Sequence, residues 1–192
     1  VIIKDKNKIT IPCDIVSVTE GQEIGIRLLH ELRNSNQSGI GLAANQIGIN
    51  KRVCVVNVKE PIVLINPEIM EKSKDKFPFV EGCLSFPKKN IKTERYVSIK
   101  VKADNYDEIL SFSADSKDIN DAFECACVQH EIDHLNGITM FDRKRPNTTV
   151  KREGKKIGRN DKVLIACGVD SKVMKYKKAL PLLENGWTLV EQ

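Results

Sequence analysis

Gln129-His130-Glu131-Ile132-Asp133-His134-Leu135-Asn136-Gly137 is the stretch on which the reading of this chain turns. The chain has three histidines, and two of them stand here, four residues apart. On a helix that spacing puts both imidazoles on one face, one turn apart. Glu131 lies between them. The pattern H-E-x-x-H holds a divalent metal on two imidazoles and leaves the carboxylate to handle a water proton. Asp118 or Asn120 caps the expected helix, and Gly137 ends it after Asn136.

Two helical histidines leave a catalytic metal one protein ligand short, because such sites use three and keep a position for water. The chain offers Cys83 or an acid for the third place. By its local pattern alone, Glu81-Gly82-Cys83-Leu84-Ser85-Phe86-Pro87 is a turn entering a strand with a buried cysteine. With Cys83 as ligand, the set is Cys-His-His plus water. A metal there lowers the pKa of the water toward roughly 7, and Glu131 can take its proton and pass it to a leaving amine. Oxyanion donors are then required, and the Leu84 N–H and the Gln46 side-chain amide are candidates.

Around this helix the chain reads as strands. Residues 52–58 are β-branched and largely apolar, residues 62–65 follow, and residues 97–103 alternate cleanly, with residues 109–112 as a hairpin partner. Ile138-Thr139-Met140-Phe141 reads as a further strand, and residues 68–78 as a charged surface loop. An earlier helix starts at Thr19 or Glu20, carries Ile24, Leu28 and Leu32 at helical spacing, and ends at Asn34-Ser35-Asn36. His30 within it has no suitably spaced cysteine or acid and is read as structural. The expected fold class is α+β: antiparallel strands packed around a central metal-binding helix.

Residues 1–142 hold 18 basic and 21 acidic side chains, whereas residues 143–192 hold 13 and 5. The chain is therefore expected to divide into a catalytic domain, 1–142, and a basic linker with a small β-rich extension, 143–192. Strands are expected at residues 162–167, 172–176 and 187–190. No run approaches eighteen apolar residues, so no membrane helix is expected. The six cysteines are scattered through apolar runs without a disulfide framework, which fits a reducing, cytoplasmic setting.

Three motifs together resemble the peptide deformylase family: Gly39-Ile40-Gly41-Leu42-Ala43-Ala44-Asn45-Gln46, Glu81-Gly82-Cys83-Leu84-Ser85, and the 129–137 stretch. All three stand in the family's order and spacing, over roughly residues 13–142. The resemblance implies Cys83, His130 and His134 as ligands of one divalent metal, Fe(II) in the cell, with zinc, nickel or cobalt able to substitute. It implies Glu131 as general acid/base, with Gln46 and the Leu84 N–H polarising the formyl oxygen. The substrate it implies is an N-formylmethionyl nascent peptide, hydrolysed by hydroxide attack with release of formate. The peptide is expected to add as a strand beside Gly39–Gly41, with Ile40, Gly82, Leu84, Ala126 and Cys127 walling the methionine pocket. Arg95 is expected to pair with Glu81 or Asp133 and steady the ligand-bearing segments. A monomer is expected, with a ribosomal contact through the basic tail. Two rival readings are a zinc endopeptidase and an inactive deformylase-like binding protein. The first lacks a third ligand beyond the helix, and the second is opposed by the intact site residues.

Overall fold

The computed structural model describes residues 1–35, 39–145, 159–167, 170–184 and 187–190. The chain forms two compact units, Val1–Arg145 and Pro146–Gln192. In the first, helices α1 (Lys6–Ile9) and α2 (Val18–Arg33) precede strand β1 (Gly41–Ala43) and a single 3₁₀ turn, Ala44–Ile47. Strands β2 (Val53–Val56), β3 (Ile62–Ile65), β4 (Glu68–Lys72), β5 (Lys76–Cys83), β6 (Phe86–Tyr96), β7 (Ser98–Lys102) and β8 (Leu110–Ser113) follow, and then helix α3 (Ile119–Leu135). The sheets run β1-β2-β3, β4-β7-β8 and β5-β6, and neighbouring strands within each are antiparallel. The architecture is mixed α/β with antiparallel sheets.

All four residues of β2 are buried, because both faces of the strand are covered. Val53 and Val55 pack with Ile24, Leu28 and Leu32 of α2. Cys54 and Val56 point the other way, into a core with Val128, Ile132 and Leu135 of α3. That explains a continuous apolar run where a one-sided strand would alternate.

Helix α3 opens on Asp118, whose side chain accepts from the Asn120 N–H. Every residue from Cys125 to Leu135 is buried, polar ones included. Gly137 stops the helix at φ 71°, and a Cβ there would meet the Thr10 carbonyl oxygen at 2.6 Å, so only glycine fits. Helix α2 starts one residue before the sequence expectation, capped by the Ser17 hydroxyl accepting from Glu20 N–H. Asn34 is its C-cap, and Asn36 lies outside the described residues. His30 is an exposed α2 side chain with its Nε2 3.0 Å from the Asn34 amide.

Three expectations need correction. Residues 68–78 are not a loop: they form β4 and begin β5. β4 is an edge strand with mostly exposed residues and a bulge between Ile69 and Glu71, so no apolar alternation betrays it. Residues 138–141 are not a strand. Asp142 takes both the N–H and the hydroxyl of Thr139, at 2.9 and 2.7 Å, and folds the segment into turns that bury Met140. Finally, residues 143–145 are held to the body rather than to a tail. Lys144 forms a bridge with Thr93, and the Arg145 N–H donates to the Lys92 carbonyl at 2.8 Å.

In the second unit, β9 (Lys162–Cys167) pairs with β10 (Asp170–Lys175) and β11 (Thr188–Val190), and helix α4 (Tyr176–Glu184) packs on them. Val163, Ile165 and Ala179 form its small core. The three strands match the sequence reading closely. The helix is not among the sequence expectations, and Pro181 sits inside it. Residues 146–158, the bulk of the expected linker, lie outside the described residues. Among the described residues, no helix is long and apolar enough to cross a membrane.

Candidate metal centre and active site

Three atoms able to hold a metal converge where α3 meets the end of β5. Nε2 of His130 and Nε2 of His134 stand 3.1 Å apart, and Cys83 Sγ lies 3.3 Å from His134 Nε2. The three lie within 4.8 Å of one another. The helix brings in the two imidazoles by spacing alone. Cys83 arrives by a register shift: Gly82 pairs with Asn90, but Cys83 pairs with Phe86, a bulge that re-aims the thiol. One soft thiol and two imidazoles form a donor set that suits a divalent transition ion. The ring nitrogens crowd in a way that two protonated imidazoles would resist. Burial and the proximity of His130 hold His134 well below the usual histidine range. Burial also pushes His130 down, but hydrogen bonds with Cys83 and Glu81 outweigh it and raise it to about 10.

A buried charge network stands behind the ligands. Glu81 Oε2 accepts from His130 Nδ1 at 2.7 Å, which turns Nε2 toward the centre. Arg95 forks onto Glu81, with Nε at 2.5 Å and Nη2 at 2.8 Å, and reaches Asp133 through Nη1 at 2.5 Å. Thr93 Oγ1 also donates to Glu81, at 2.5 Å. Burial pushes the Glu81 carboxyl up, yet the bonds from Arg95 and His130 prevail and hold it at about 2. The sequence expectation gave Arg95 one partner or the other; it has both.

Glu131 is 3% exposed, and its Oε2 has no hydrogen-bond partner among the described residues. Burial, partly offset by His130, raises its carboxyl to about 7. Such a group takes and returns a proton near neutral pH. Gln46 is locked in one orientation. Its Oε1 accepts from the Ala43 N–H at 2.8 Å, while Nε2 donates to Ser85 Oγ at 3.1 Å and lies 3.4 Å from Cys83 Sγ. The amide donor thus points at the ligand cluster.

A cavity of about 390 Å³ opens on this cluster. Gly39, Ile40, Gly41, Gln46, Gly82, Cys83, Leu84, Ala126, Cys127, His130 and Glu131 line it, so every wall residue expected from the motifs is present. Arg95, Asp133 and His134 lie behind the wall. Motif reading missed the aromatic side, Phe79 and Phe123, whose rings meet edge to face at 5.2 Å. Phe123 shares a helical face with Cys127 and His130, and that was the available signal. It also missed Phe86, Pro87 and the lysines Lys88 and Lys89, which come from the start of β6, just beyond Cys83.

Residues 4–150 match the family model for polypeptide deformylase. The chain belongs to that family. Among similar deformylases, one from Prochlorococcus marinus is 38% identical over 158 residues, covering 78% of this chain and 76% of that protein. Peptide deformylase 1 of Clostridium acetobutylicum is 46% identical over 111 residues, covering 56% of this chain and 69% of its own. The deformylase structure from Thermotoga maritima superposes with a TM-score of 0.64 at 32% identity, covering 76% of this chain and 97% of that one. The Plasmodium falciparum deformylase gives 0.66 at 27% identity, with 76% and 87% covered. This deformylase is therefore a hydrolase, and its Cys-His-His cluster agrees with the metal dependence of the family.

Proposed function

We propose that this deformylase removes the formyl group from the N-terminus of N-formylmethionyl nascent peptides, releasing formate, with Cys83, His130 and His134 holding one divalent metal ion and Glu131 moving the proton. The observation that carries the reading is the convergence of Cys83 Sγ and the two Nε2 atoms beside a buried carboxylate at the wall of a cavity.

Water activation near neutral pH and polarisation of a carbonyl are what a divalent cation supplies when bound in such a set. Ferrous iron is the proposed ion in the cell, with zinc, nickel or cobalt as substitutes. The chain's own groups do the rest. Glu131 accepts the proton of the attacking water and returns it to the peptide nitrogen as the C–N bond breaks, so no net proton is consumed by the carboxylate. Gln46 Nε2 and the Leu84 N–H stabilise charge on the formyl oxygen; losing one such donor costs about 3–4 kcal/mol of barrier. Glu81 fixes the His130 ring. The peptide backbone has a place to bind at β1, which pairs with β2 on one side only among the described residues. Ile40, Leu84, Ala126 and Cys127, with the aromatic pair opposite, receive the methionine side chain. The proposal includes a monomer acting in the cytoplasm and a ribosomal contact through residues 143–192, for which the support is their net charge of +8.

Formate release from a formyl-Met peptide by ferrous-loaded protein tests the reading, with the acetyl analogue as control. Formate from the first and no acetate from the second is the expected result. No formate from freshly loaded protein overturns it.

A further inference from the structure

Asp133 is the meeting point of two arginines. Arg95 Nη1 donates to Oδ2 at 2.5 Å, and Arg143 brings Nε to Oδ2 at 3.0 Å and Nη2 to Oδ1 at 2.7 Å. Arg95 also holds both oxygens of Glu81, and Glu81 holds His130 Nδ1. A chain of alternating charges therefore runs from Arg143 inward to a histidine of the metal cluster. Glu81, Asp133 and Arg95 are buried, whereas the Arg143 side chain is 40% exposed.

Charge balance shows what Arg143 does. The buried part of this network, Glu81, Arg95 and Asp133, has two carboxylates and one guanidinium. Arg95 spends Nε and Nη2 on Glu81 and only Nη1 on Asp133. That division is stable because Asp133 already has a forked cation of its own. Without Arg143, and with His130 neutral as a metal ligand, Arg95 is the single cation between two buried anions, and an anion left unpaired in such surroundings is strongly disfavoured. Arg95 is then drawn toward Asp133, and its fork on Glu81 loosens.

We propose that Arg143 is a positioning residue: by neutralising Asp133 it keeps Arg95 on Glu81, and through Glu81 it fixes the His130 ring that faces the metal. The proposal rests on the reading of His130 as a ligand. Arg143 does not line the cavity and needs no contact with substrate. Its place in sequence, just after the turn closed by Asp142, puts it outside all three deformylase motifs.

The test is the rate at which zinc-loaded protein gives up zinc to a chromogenic chelator, together with the visible spectrum of cobalt-substituted protein. Partners that orient a metal-binding histidine typically change metal affinity about 10–100-fold. Arg143→Ala is expected to release zinc at least tenfold faster and to shift the cobalt bands. Arg143→Lys restores the charge and should slow release again, while the neutral Arg143→Gln should not; these two carry the comparison if the alanine variant fails to fold. Arg145→Ala is the control, because Arg145 pairs with Glu94 at 3.1 Å in the same segment without touching Asp133. It should match wild type. Release from Arg143→Ala at the wild-type rate overturns the proposal, as does a lysine variant no slower than glutamine, or an Arg145→Ala variant as fast as Arg143→Ala. Wild-type protein that retains no zinc overturns the ligand assignment and the proposal with it, whereas zinc-retaining wild type with an unchanged Arg143→Ala overturns the proposal alone.

Discussion

A Cβ on Gly41 would lie 2.4 Å from Oε1 of Glu131 and 2.6 Å from the Cys127 sulfur. The bare backbone of β1 is thus pressed against the proposed base, and the glycine makes room for a carboxylate. Gly41→Ala should push Glu131 off its position or lift β1 away. Overpacking of this kind destabilises by about 1–3 kcal/mol, measurable by denaturant titration. Turnover should fall roughly 100-fold, as it can for a misplacement of about 1 Å. Metal content should be unchanged, because the added methyl faces none of the three ligands.

Glu131→Ala separates metal holding from catalysis. The variant keeps Cys83, His130 and His134, so metal analysis should return the wild-type stoichiometry. Formate release should drop about 10²–10⁴-fold, the usual contribution of a positioned proton donor and acceptor. Wild-type-like formate release from this variant would sink the mechanism.

The buried thiols set an alkaline limit to stability. Burial pushes Cys13 and Cys125 up to about 11, and Cys54 and Cys127 well above the ordinary value near 9. In the unfolded chain these thiols ionise first, so the neutral form favours folding. The contribution is complete below pH 9 and is lost as pH rises through about 11. Wild-type stability should fall across that window. Cys13→Ser, whose hydroxyl does not ionise there, should lose less between pH 9 and 11, as read from urea midpoints at each pH. An equal loss in both proteins removes Cys13 from the account.

The place where the chain is cut should matter. A chain ending at Arg145 keeps the Lys144 bridge to Thr93, the Arg145 bond to Lys92 and the Arg143 fork on Asp133. It should fold, bind metal and release formate as the full chain does. A chain ending at Phe141 loses all three and should bind metal more weakly. Loss of metal or folding by the longer fragment would show that the second unit is needed by the first.

Much of the site could be read locally. The small residues at 39–46 leave the backbone nearly bare, and Gly41 lies against the side chains of Glu131 and Cys127. Less could be read where the signal lay in the partner. The strand β4 carries charge on both faces because it is an edge, and the pattern looked like a loop. Thr139 and Asp142 turned an apolar-looking run into a turn through two side-chain bonds that no periodicity encodes.

By itself, the sequence determined that His130 and His134 share a helical face with Glu131 between them, because helix geometry depends only on spacing along the chain. It also pointed to a strand within residues 52–58, which are β-branched and largely apolar. Only the tertiary structure brought Cys83 Sγ to the two imidazoles, aimed the Gln46 amide at that sulfur, and set Arg95 and Arg143 together on Asp133. These contacts join residues 10 to 51 positions apart. The physical reason is that they depend on how strands and helix are brought together, through a bulge at Cys83 and a charge balance among buried groups, and neither leaves a period in the chain.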